Sequence, residues 1–229
     1  MEDIDAIAAL QDPVRRRLYE YVAAQGREVG RNEAAEATGV ARTLAAHHLD
    51  RLTEAGLLES GSRRLTGRSG PGAGRPAKVY TRTRTERSVS LPARDYRTAA
   101  ELLAEAAEQA GLDAGIRAAA RRRGEALRDP AAPCGGLEEA VEVLAARGYE
   151  PRLEAAGGDG GETGAGELVV RMRNCPFHAV AERFPPLVCG MNLALLEGLL
   201  GADGPVRARM DARPGECCVV VEASKNNDH

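Results

Sequence analysis

The stretch NEAAEATGVARTLAAHHLDRLTEAG, residues 32–56, decides the fold of the N-terminal part of the chain. Asn32 can cap a short helix, and Gly39 supplies the turn that ends it. A longer helix then covers Ala41–Ala55. Its apolar residues recur at helical spacing and predict one buried face: Ala45, Leu49 and Leu52. Two helices joined by a glycine turn are typical of a helix-turn-helix.

The flanking sequence extends this pattern in both directions. Asp12-Pro13 predicts the start of the preceding helix, because Asp caps helices and Pro is tolerated at the first helical position. After the longer helix, residues 60–87 carry eight Lys and Arg against one Glu. Within this segment, the run from Gly67 to Pro76 is rich in Gly and Pro, and Lys78–Thr81 has the composition of a strand. We expect a β-hairpin with a long cationic tip, so residues 1–92 are predicted to form a winged helix-turn-helix.

The composition of the chain limits the classes of protein to which it can belong. The chain has 229 residues, 28% of them charged and 43% hydrophobic, with five Cys and a formal net charge of -3. No stretch reaches the ~18–20 apolar residues of a membrane-spanning helix, and the acidic N-terminus is unlike a signal peptide. We therefore expect a cytoplasmic protein with no membrane partner, in which cysteines are free thiols or metal ligands.

The predicted contacts with DNA fall into two groups. Residues that face outward near the N-terminus of the longer helix are predicted to meet base edges: Arg42, Thr43, Ala46 and His47. Cations further along the helix and in the wing are predicted to contact the backbone or the minor groove: Arg51, Arg68, Arg75 and Lys78. Only 3% of the residues are aromatic, which disfavours stacking on single strands and favours duplex DNA.

Three other residues of the same helix qualify this prediction. His48 is predicted to pack inward as a core residue. Asp50 and Glu54 would repel phosphates if they faced the duplex.

The rest of the chain predicts two further segments, which makes the whole an α+β protein. Residues 93–130 read as two helices, and the first of them packs either within the chain or against its copy in a homodimer. We favour the homodimer, because two-fold symmetry doubles the DNA footprint. Residues 131–229 read as a C-terminal α+β domain, which is the candidate sensor.

The cysteines of the C-terminal segment form a candidate metal site. Cys175 follows a predicted strand, Cys189 lies in the first turn of a predicted helix, and Cys217-Cys218 begin the last predicted strand. Adjacent residues of a strand point to opposite faces, so only one of that pair should join the site. His178 is a possible fourth ligand. The alternative is that these cysteines are buried as small hydrophobic residues.

Cys134 stands apart from this set, in a predicted linker, and we expect no role for it.

Five segments carry a resemblance to a known family: Asp12–Tyr19 (DPVRRRLY), Ala45–Leu52 (AAHHLDRL), Gly72–Tyr80 (GAGRPAKVY), Asn174–His178 (NCPFH) and Leu187–Asn192 (LVCGMN). Together they make the chain resemble the SufR-type branch of the ArsR-like winged-helix regulators, which are iron–sulfur-dependent transcriptional repressors. The resemblance covers most of the chain, and the wing and NCPF segments are its most specific parts.

The resemblance implies a homodimer that binds operator DNA and carries an iron–sulfur cluster, commonly [4Fe–4S], in the C-terminal domain. It implies Cys175, Cys189 and Cys217 as ligands, and it does not fix the fourth. Cys218 departs from the family pattern and could compete with Cys217 for the third position, and the fourth ligand is left open among His178, Cys218 and an external group.

The resulting hypothesis is a repressor that senses iron, redox state or nitric oxide through the cluster. The alternative keeps the DNA binding and makes the site a zinc site or a thiol switch. An enzyme is not expected, because the sequence has no C-x-x-C, no Ser/His/Asp constellation and no phosphate-binding Gly-Lys motif.

Overall fold

A computed structural model divides the chain into two compact units, Met1–Arg94 and Asp95–His229. Helices and antiparallel sheets occur in both, in agreement with the predicted α+β class. The structure describes four stretches of the chain: residues 2–63, 76–129, 134–155 and 168–224.

The N-terminal unit is a helical layer with a small sheet. Its helices are α1 (Glu2–Ala8), α2 (Pro13–Gln25), α3 (Arg31–Thr38) and α4 (Arg42–Glu54), with a 3-10 turn at Ala9–Gln11. Its strands are β1 (Val29–Gly30), β2 (Leu58–Arg63) and β3 (Ala77–Arg82). They pair antiparallel in the order β1-β3-β2, with Val29 opposite Tyr80 and Arg63 opposite Ala77. This is a helix-turn-helix followed by a wing hairpin.

Local signals place the helix ends. The Asp12 carboxylate accepts the backbone N–H groups of Val14 and Arg15, each at 2.9 Å, and Pro13 opens α2, as the sequence predicts. Gly39 separates α3 from α4 with φ +67°, a left-handed conformation that favours glycine. The core of the unit contains the predicted apolar face of α4 together with residues of the neighbouring elements: Leu18, Val22, Ala45, Leu49, Leu52, Leu58 and Tyr80.

The C-terminal unit combines helices with a four-stranded sheet. The helices are α5 (Tyr96–Gln109), α6 (Asp113–Leu127), α7 (Leu137–Ala145), α8 (His178–Ala181) and α9 (Pro185–Leu200). The strands are β4 (Pro151–Ala155), β5 (Leu168–Met172), β6 (Val206–Met210) and β7 (Val219–Ala223). They pair antiparallel in the order β4-β5-β7-β6.

The two faces of this sheet differ in chemistry. One face carries Val170 and Val221, which form a core with Leu144 of α7 and Leu196 of α9. The other face carries ion pairs around Arg171, whose side chain is 0% exposed. Arg171 binds Glu154 at 2.9 Å and Asp211 at 2.7 Å, so the buried charge is paired.

Helices α6 and α9 cross at two glycines. A Cβ on Gly124 would lie 2.1 Å from the carbonyl oxygen of Leu195, and a Cβ on Gly198 would lie 2.2 Å from that of Arg121. No other residue allows so close an approach of two backbones. This crossing holds α6 against the helix that carries Cys189.

Helix α5 also packs within the C-terminal unit. Its residues Ala104 and Ala107 form a small core with Phe184, Leu187 and Val188. The two helices predicted over residues 93–130 are therefore joined to α8 and α9.

Cys134, expected in a linker, is instead 7% exposed and belongs to the hydrophobic core of the C-terminal unit. The difference arises because α7, which follows it directly, packs against the sheet.

Candidate DNA interface and cysteine site

Helix α4 presents a continuous exposed surface at its N-terminal end. Arg42, Thr43 and His47 are exposed, and Ala46 is half-buried, so the four predicted base-reading residues share the solvent side of the helix. Leu44 is also 44% exposed there, which sequence reasoning missed. An exposed Leu can contact a thymine methyl group. Its place in the sequence, directly after the predicted base-reading residue Thr43, could have indicated this role.

The carboxylate of Asp50 joins three elements of the N-terminal unit. It accepts hydrogen bonds from Lys78 Nζ and Tyr80 Oη of β3, both at 2.7 Å, and from Arg31 Nη2 at the start of α3, at 3.2 Å. Arg31 Nε also donates to Tyr80 Oη at 2.8 Å. From its sequence position Asp50 is expected only to repel phosphates. It anchors the wing to α4, a pairing across 28 residues that local patterns do not reveal.

The same contacts set the protonation of the group. Burial raises the pKa of Asp50, but hydrogen bonds from Lys78 and Tyr80 outweigh it and hold that pKa below its usual value. Burial, together with the hydrogen bond to Asp50, raises the pKa of Tyr80 to about 12. The cluster therefore carries an ionised carboxylate and a neutral phenol at neutral pH.

The remaining predicted phosphate contacts have mixed positions. Arg51 is exposed and pairs with Glu54 at 2.9 Å, so this carboxylate is partly neutralised. Lys78 is 35% exposed and shares its charge with Asp50. Arg68 and Arg75, which the sequence assigns to the tip of the wing, lie outside the residues that the structure describes.

His48 lies on the buried side of α4, as its spacing predicts, and is 8% exposed. Burial lowers its pKa, while the Asp12 carboxylate partly opposes this shift. Its Nδ1 atom is buried without a hydrogen-bond partner. His48 therefore packs as a neutral core residue.

Four cysteines of the C-terminal unit meet at one place. Cys175 follows β5, Cys189 lies in the second turn of α9, and Cys217 and Cys218 precede β7. Cys175, Cys217 and Cys218 pack on one hydrophobic core, and Cys189 is near enough to Cys218 to raise the pKa of that thiol. Three separate segments thus bring four sulfur atoms together.

The meeting of both adjacent cysteines corrects a prediction. Alternation along a strand would send Cys217 and Cys218 to opposite faces, but β7 begins only at Val219 and the chain bends at Cys218. The strict two-residue period does not apply in the bend. Cys189 likewise lies one turn deeper in its helix than expected.

The neighbouring thiols affect one another's ionisation. Interaction with Cys175 and Cys218 lowers the pKa of Cys217. Interaction with Cys217, together with burial, raises the pKa of Cys175 and of Cys218. Ionisation of one thiol of the set is therefore favoured over ionisation of several.

A buried hydrogen-bond chain also reaches the Cys217 sulfur. Asn192 of α9 is 0% exposed and donates its Nδ2 to Cys217 Sγ at 3.4 Å. Its Oδ1 accepts from Tyr149 Oη at 2.5 Å. Burial raises the pKa of Tyr149, so the phenol remains a donor. Sequence reasoning missed both residues, although Asn192 lies within the LVCGMN segment.

His178 is placed differently from the four thiols. Its side chain is 60% exposed on α8, and its Nε2 atom lies 3.3 Å from Glu182 Oε1. Its backbone N–H donates to the carbonyl of Cys175 at 3.0 Å, so the residue is near the site while its ring is engaged elsewhere.

The donor set fits a metal group by its chemistry. Four cysteines are the ligands of both [2Fe–2S] and [4Fe–4S] clusters and of many structural zinc sites. Across the described stretches, no three Cys, His, Asp or Glu side chains already stand around a position for one metal ion. All five cysteines are free thiols, so binding a metal would require those that hold it to lose their protons and turn toward it.

The comparisons with known proteins bear on the N-terminal unit. Residues 10–61 match the family model described as a helix-turn-helix domain. Searches of curated proteins and of solved structures gave no significant match. The match supports a DNA-binding transcriptional regulator of the winged helix-turn-helix class, and regulators of this class are typically not enzymes.

A separate observation concerns membranes. Within the part of the chain that the structure describes, no helix combines the length and the apolar character needed to cross a bilayer.

Proposed function

We propose that the protein is a transcriptional repressor that binds duplex operator DNA as a homodimer and senses iron, redox state or nitric oxide. The sensor would be an iron–sulfur cluster, [4Fe–4S] by the resemblance to SufR-type regulators, held by Cys175, Cys189 and Cys217. The observation that carries the proposal is the packing of Cys175, Cys217 and Cys218 on one core, in a chain whose N-terminal unit matches a helix-turn-helix domain.

The reading surface would be the exposed end of α4. Arg42 is long enough to reach guanine acceptors, Thr43 and His47 can form polar contacts, and half-buried Ala46 permits close approach to the groove. Lys78 and Arg51 would add affinity rather than sequence choice. Because the phosphate contacts release counterions, the affinity should fall steeply as salt rises.

The homodimer would form through α5. Helix α5 exposes three large apolar side chains beside its packed alanines: Tyr96 at 74%, Leu102 at 61% and Leu103 at 73%. A second copy of the same face would cover them, and the resulting two-fold axis would match a palindromic operator. A Leu103→Glu variant should sediment as a monomer and bind a single half-site.

The sensing step would act through the residues that hold the cluster. A bound cluster would supply an iron- and oxidation-dependent link between three separate segments of the unit. Loss of that bond would release the turn before β7 from α9 and from the loop after β5.

The alternative is a site that holds zinc or that works as a thiol switch, because four thiols also suit zinc. Metal analysis distinguishes an iron–sulfur cluster from the alternative, since a zinc site contains no sulfide and has no visible absorption band.

The test uses the full chain, purified without oxygen. We expect stoichiometric iron and sulfide, a visible absorption band, and binding to promoter DNA in gel shifts that changes when the cluster is removed by oxidation. A Cys189→Ala variant should lose both the band and the response. Protein that binds DNA yet contains zinc instead of iron and sulfide would replace the cluster with the alternative, and protein that binds no duplex DNA would refute the regulator.

A further inference from the structure

We infer that a cleft in the N-terminal unit binds a small molecule through a phosphate or carboxylate group, which Arg15 and Arg87 hold. The cleft lies between α1, the start of α2, the C-terminal end of α4 and the segment that follows β3. Its volume is about 630 Å³, and small-molecule sites typically have roughly 300–1,000 Å³. The inference is independent of the cysteine site and adds a second ligand to the proposed regulator.

Two arginines in the wall of the cleft have a hydrogen-bond donor that is not used. The Nε atoms of Arg15 and Arg87 are buried, and neither has a partner among the described residues. Arg15 Nη2 lies 3.9 Å from Asp12 Oδ2, an ion pair that is too long for a hydrogen bond. Because a buried N–H group without a partner costs free energy, an oxygen acceptor that enters the cleft would stabilise the folded unit.

Arg87 is fixed in place by contacts that leave its Nε atom unpaired. Its Nη1 atom donates to Asp3 Oδ1 of α1 at 2.9 Å. Its Nη2 atom lies over Gly56, where a Cβ would approach it to 2.6 Å, and the φ of +68° at that residue also favours glycine. A guanidinium can bind a carboxylate or a phosphate through Nε and one Nη atom, as two parallel hydrogen bonds. Arg87 is therefore oriented before a ligand arrives, which lowers the cost of binding.

The remaining charged side chains of the cleft limit the kind of ligand. Arg51 and Glu54 line it as an ion pair, with 2.9 Å between Nη1 and Oε2. Asp5 adds a further carboxylate to the lining. These carboxylates would repel the closely spaced phosphates of a duplex, so nucleic acid fits the cleft poorly. One oxyanion group on a small molecule of low net charge fits it better.

The experiment titrates the full chain, without DNA, with inorganic phosphate and separately with succinate, at constant ionic strength. Two-dimensional NMR spectra observe the arginine Nε–Hε groups, and the signals of interest are assigned by their absence from Arg15→Gln, Arg17→Gln and Arg87→Gln. Arg17→Gln is also the matched control for affinity, because Arg17 is an exposed arginine of the same helix outside the cleft. Circular dichroism checks that each variant is folded, and Arg15→Lys serves as a second variant where Arg15→Gln is unfolded.

We expect the Arg15 and Arg87 signals to shift saturably with at least one of the two anions, while the Arg17 signal stays in place. Measured on the Arg87 signal, Arg15→Gln should weaken binding by about tenfold or more, because it removes charged hydrogen bonds to the ligand. Arg17→Gln should change the affinity by less than about twofold, as expected for an exposed charge. Arg15→Lys keeps the charge but loses the planar fork, so it should also bind more weakly than wild type.

Three results overturn the inference. In the first, neither anion shifts the Arg15 and Arg87 signals of the wild type. In the second, Arg15→Gln and Arg17→Gln lose affinity equally, which would indicate diffuse attraction of anions to the surface. In the third, the two signals shift only with duplex DNA, which would make the cleft part of the DNA contact. The first two leave the proposed operator binding and the cysteine sensor untouched, and the third would support the DNA binding.

Discussion

The recognition helix and the cysteine site differ in where their chemically active atoms lie. On α4, Arg42 and His47 extend into solvent from a helix whose other side is buried. In the C-terminal unit, Cys217 is 1% exposed, and Cys175 and Cys218 pack against the hydrophobic core. One region presents its side chains to solvent, whereas the other packs its side chains on the core of its own unit.

This difference predicts how each region responds to change. An exposed reading residue can be removed with little effect on folding, because few neighbours depend on it. A group within a core is joined to its neighbours by packing, so a change of its bonding must move backbone segments. Substitutions in the first region should weaken DNA binding without lowering the stability of the protein. Substitutions in the packing around the second region should lower that stability.

The largest effect should come from a substitution at the crossing of α6 with α9, the helix that carries Cys189. Gly124→Ala places a methyl group 2.1 Å from the carbonyl oxygen of Leu195, so α6 and α9 must separate. We expect the free energy of unfolding to fall by roughly 3 kcal/mol, at the upper end of the range for overpacking. Urea denaturation of the full chain, followed by circular dichroism, measures this change.

Gly115→Ala is the matched control on the same helix. A Cβ at Gly115 meets nothing within 4 Å, and replacing Gly by Ala within a helix stabilises it by up to about 1 kcal/mol. Equal stability of the two variants would show that the glycine crossing does not hold α6 on α9.

Sequence reasoning succeeded where local periodicity carries the structure. The spacing of apolar residues on α4 correctly predicted its buried face and its exposed face, and Asp12-Pro13 predicted the start of α2. The strand of the wing followed from the composition of Lys78–Thr81. These features depend on residues within one or two turns of each other.

The features that sequence reasoning missed depend on residues far apart in the chain. Asp50 meets Lys78 across 28 residues, and Gly124 meets α9 at Gly198. At Cys218 a general rule, alternation along a strand, failed because the chain bends one residue before the strand begins. Each case needs the tertiary arrangement, which no local pattern encodes.

The second prediction removes a reading residue. Arg42→Ala should weaken binding to the specific operator by about 2 kcal/mol, roughly thirtyfold, if Arg42 contacts a base. Binding to unrelated duplex DNA should change much less, and the free energy of unfolding should stay within about 0.5 kcal/mol of wild type. Fluorescence anisotropy with the two DNAs at one salt concentration makes the comparison.

Arg17→Ala, an exposed arginine of α2, is the charge-matched control for Arg42→Ala. An equal loss of affinity for both DNAs in the Arg42→Ala variant would reassign Arg42 from base reading to phosphate contact.

The third prediction concerns the anchor between the wing and α4. Asp50→Asn leaves Lys78 and Arg31 without their carboxylate, so one more cation becomes available to phosphate. We expect the slope of log affinity against log salt to steepen by about 1, while the preference for the operator falls because the wing is less firmly held. Titrations at several salt concentrations give the slope.

Glu59→Gln changes the net charge equally from an exposed position on β2 and should leave the slope close to that of wild type. A slope unchanged by Asp50→Asn would mean that the carboxylate has no influence on how Lys78 meets DNA.

The smallest effect should be the loss of stability at acid pH that His48 of α4 causes. Burial lowers the pKa of His48 below its ordinary value of 6.5, although the nearby Asp12 carboxylate opposes this and the nearby Arg15 guanidinium reinforces it. Below about pH 6.5 the unfolded chain binds a proton that the folded chain does not, so stability falls as the pH drops toward the folded pKa. The slope from this one group cannot exceed about 1.4 kcal/mol per pH unit. Urea denaturation at pH 7.5 and 5.5 should show a smaller loss of stability in His48→Gln than in wild type, and an equal loss in both would exclude His48 as the source.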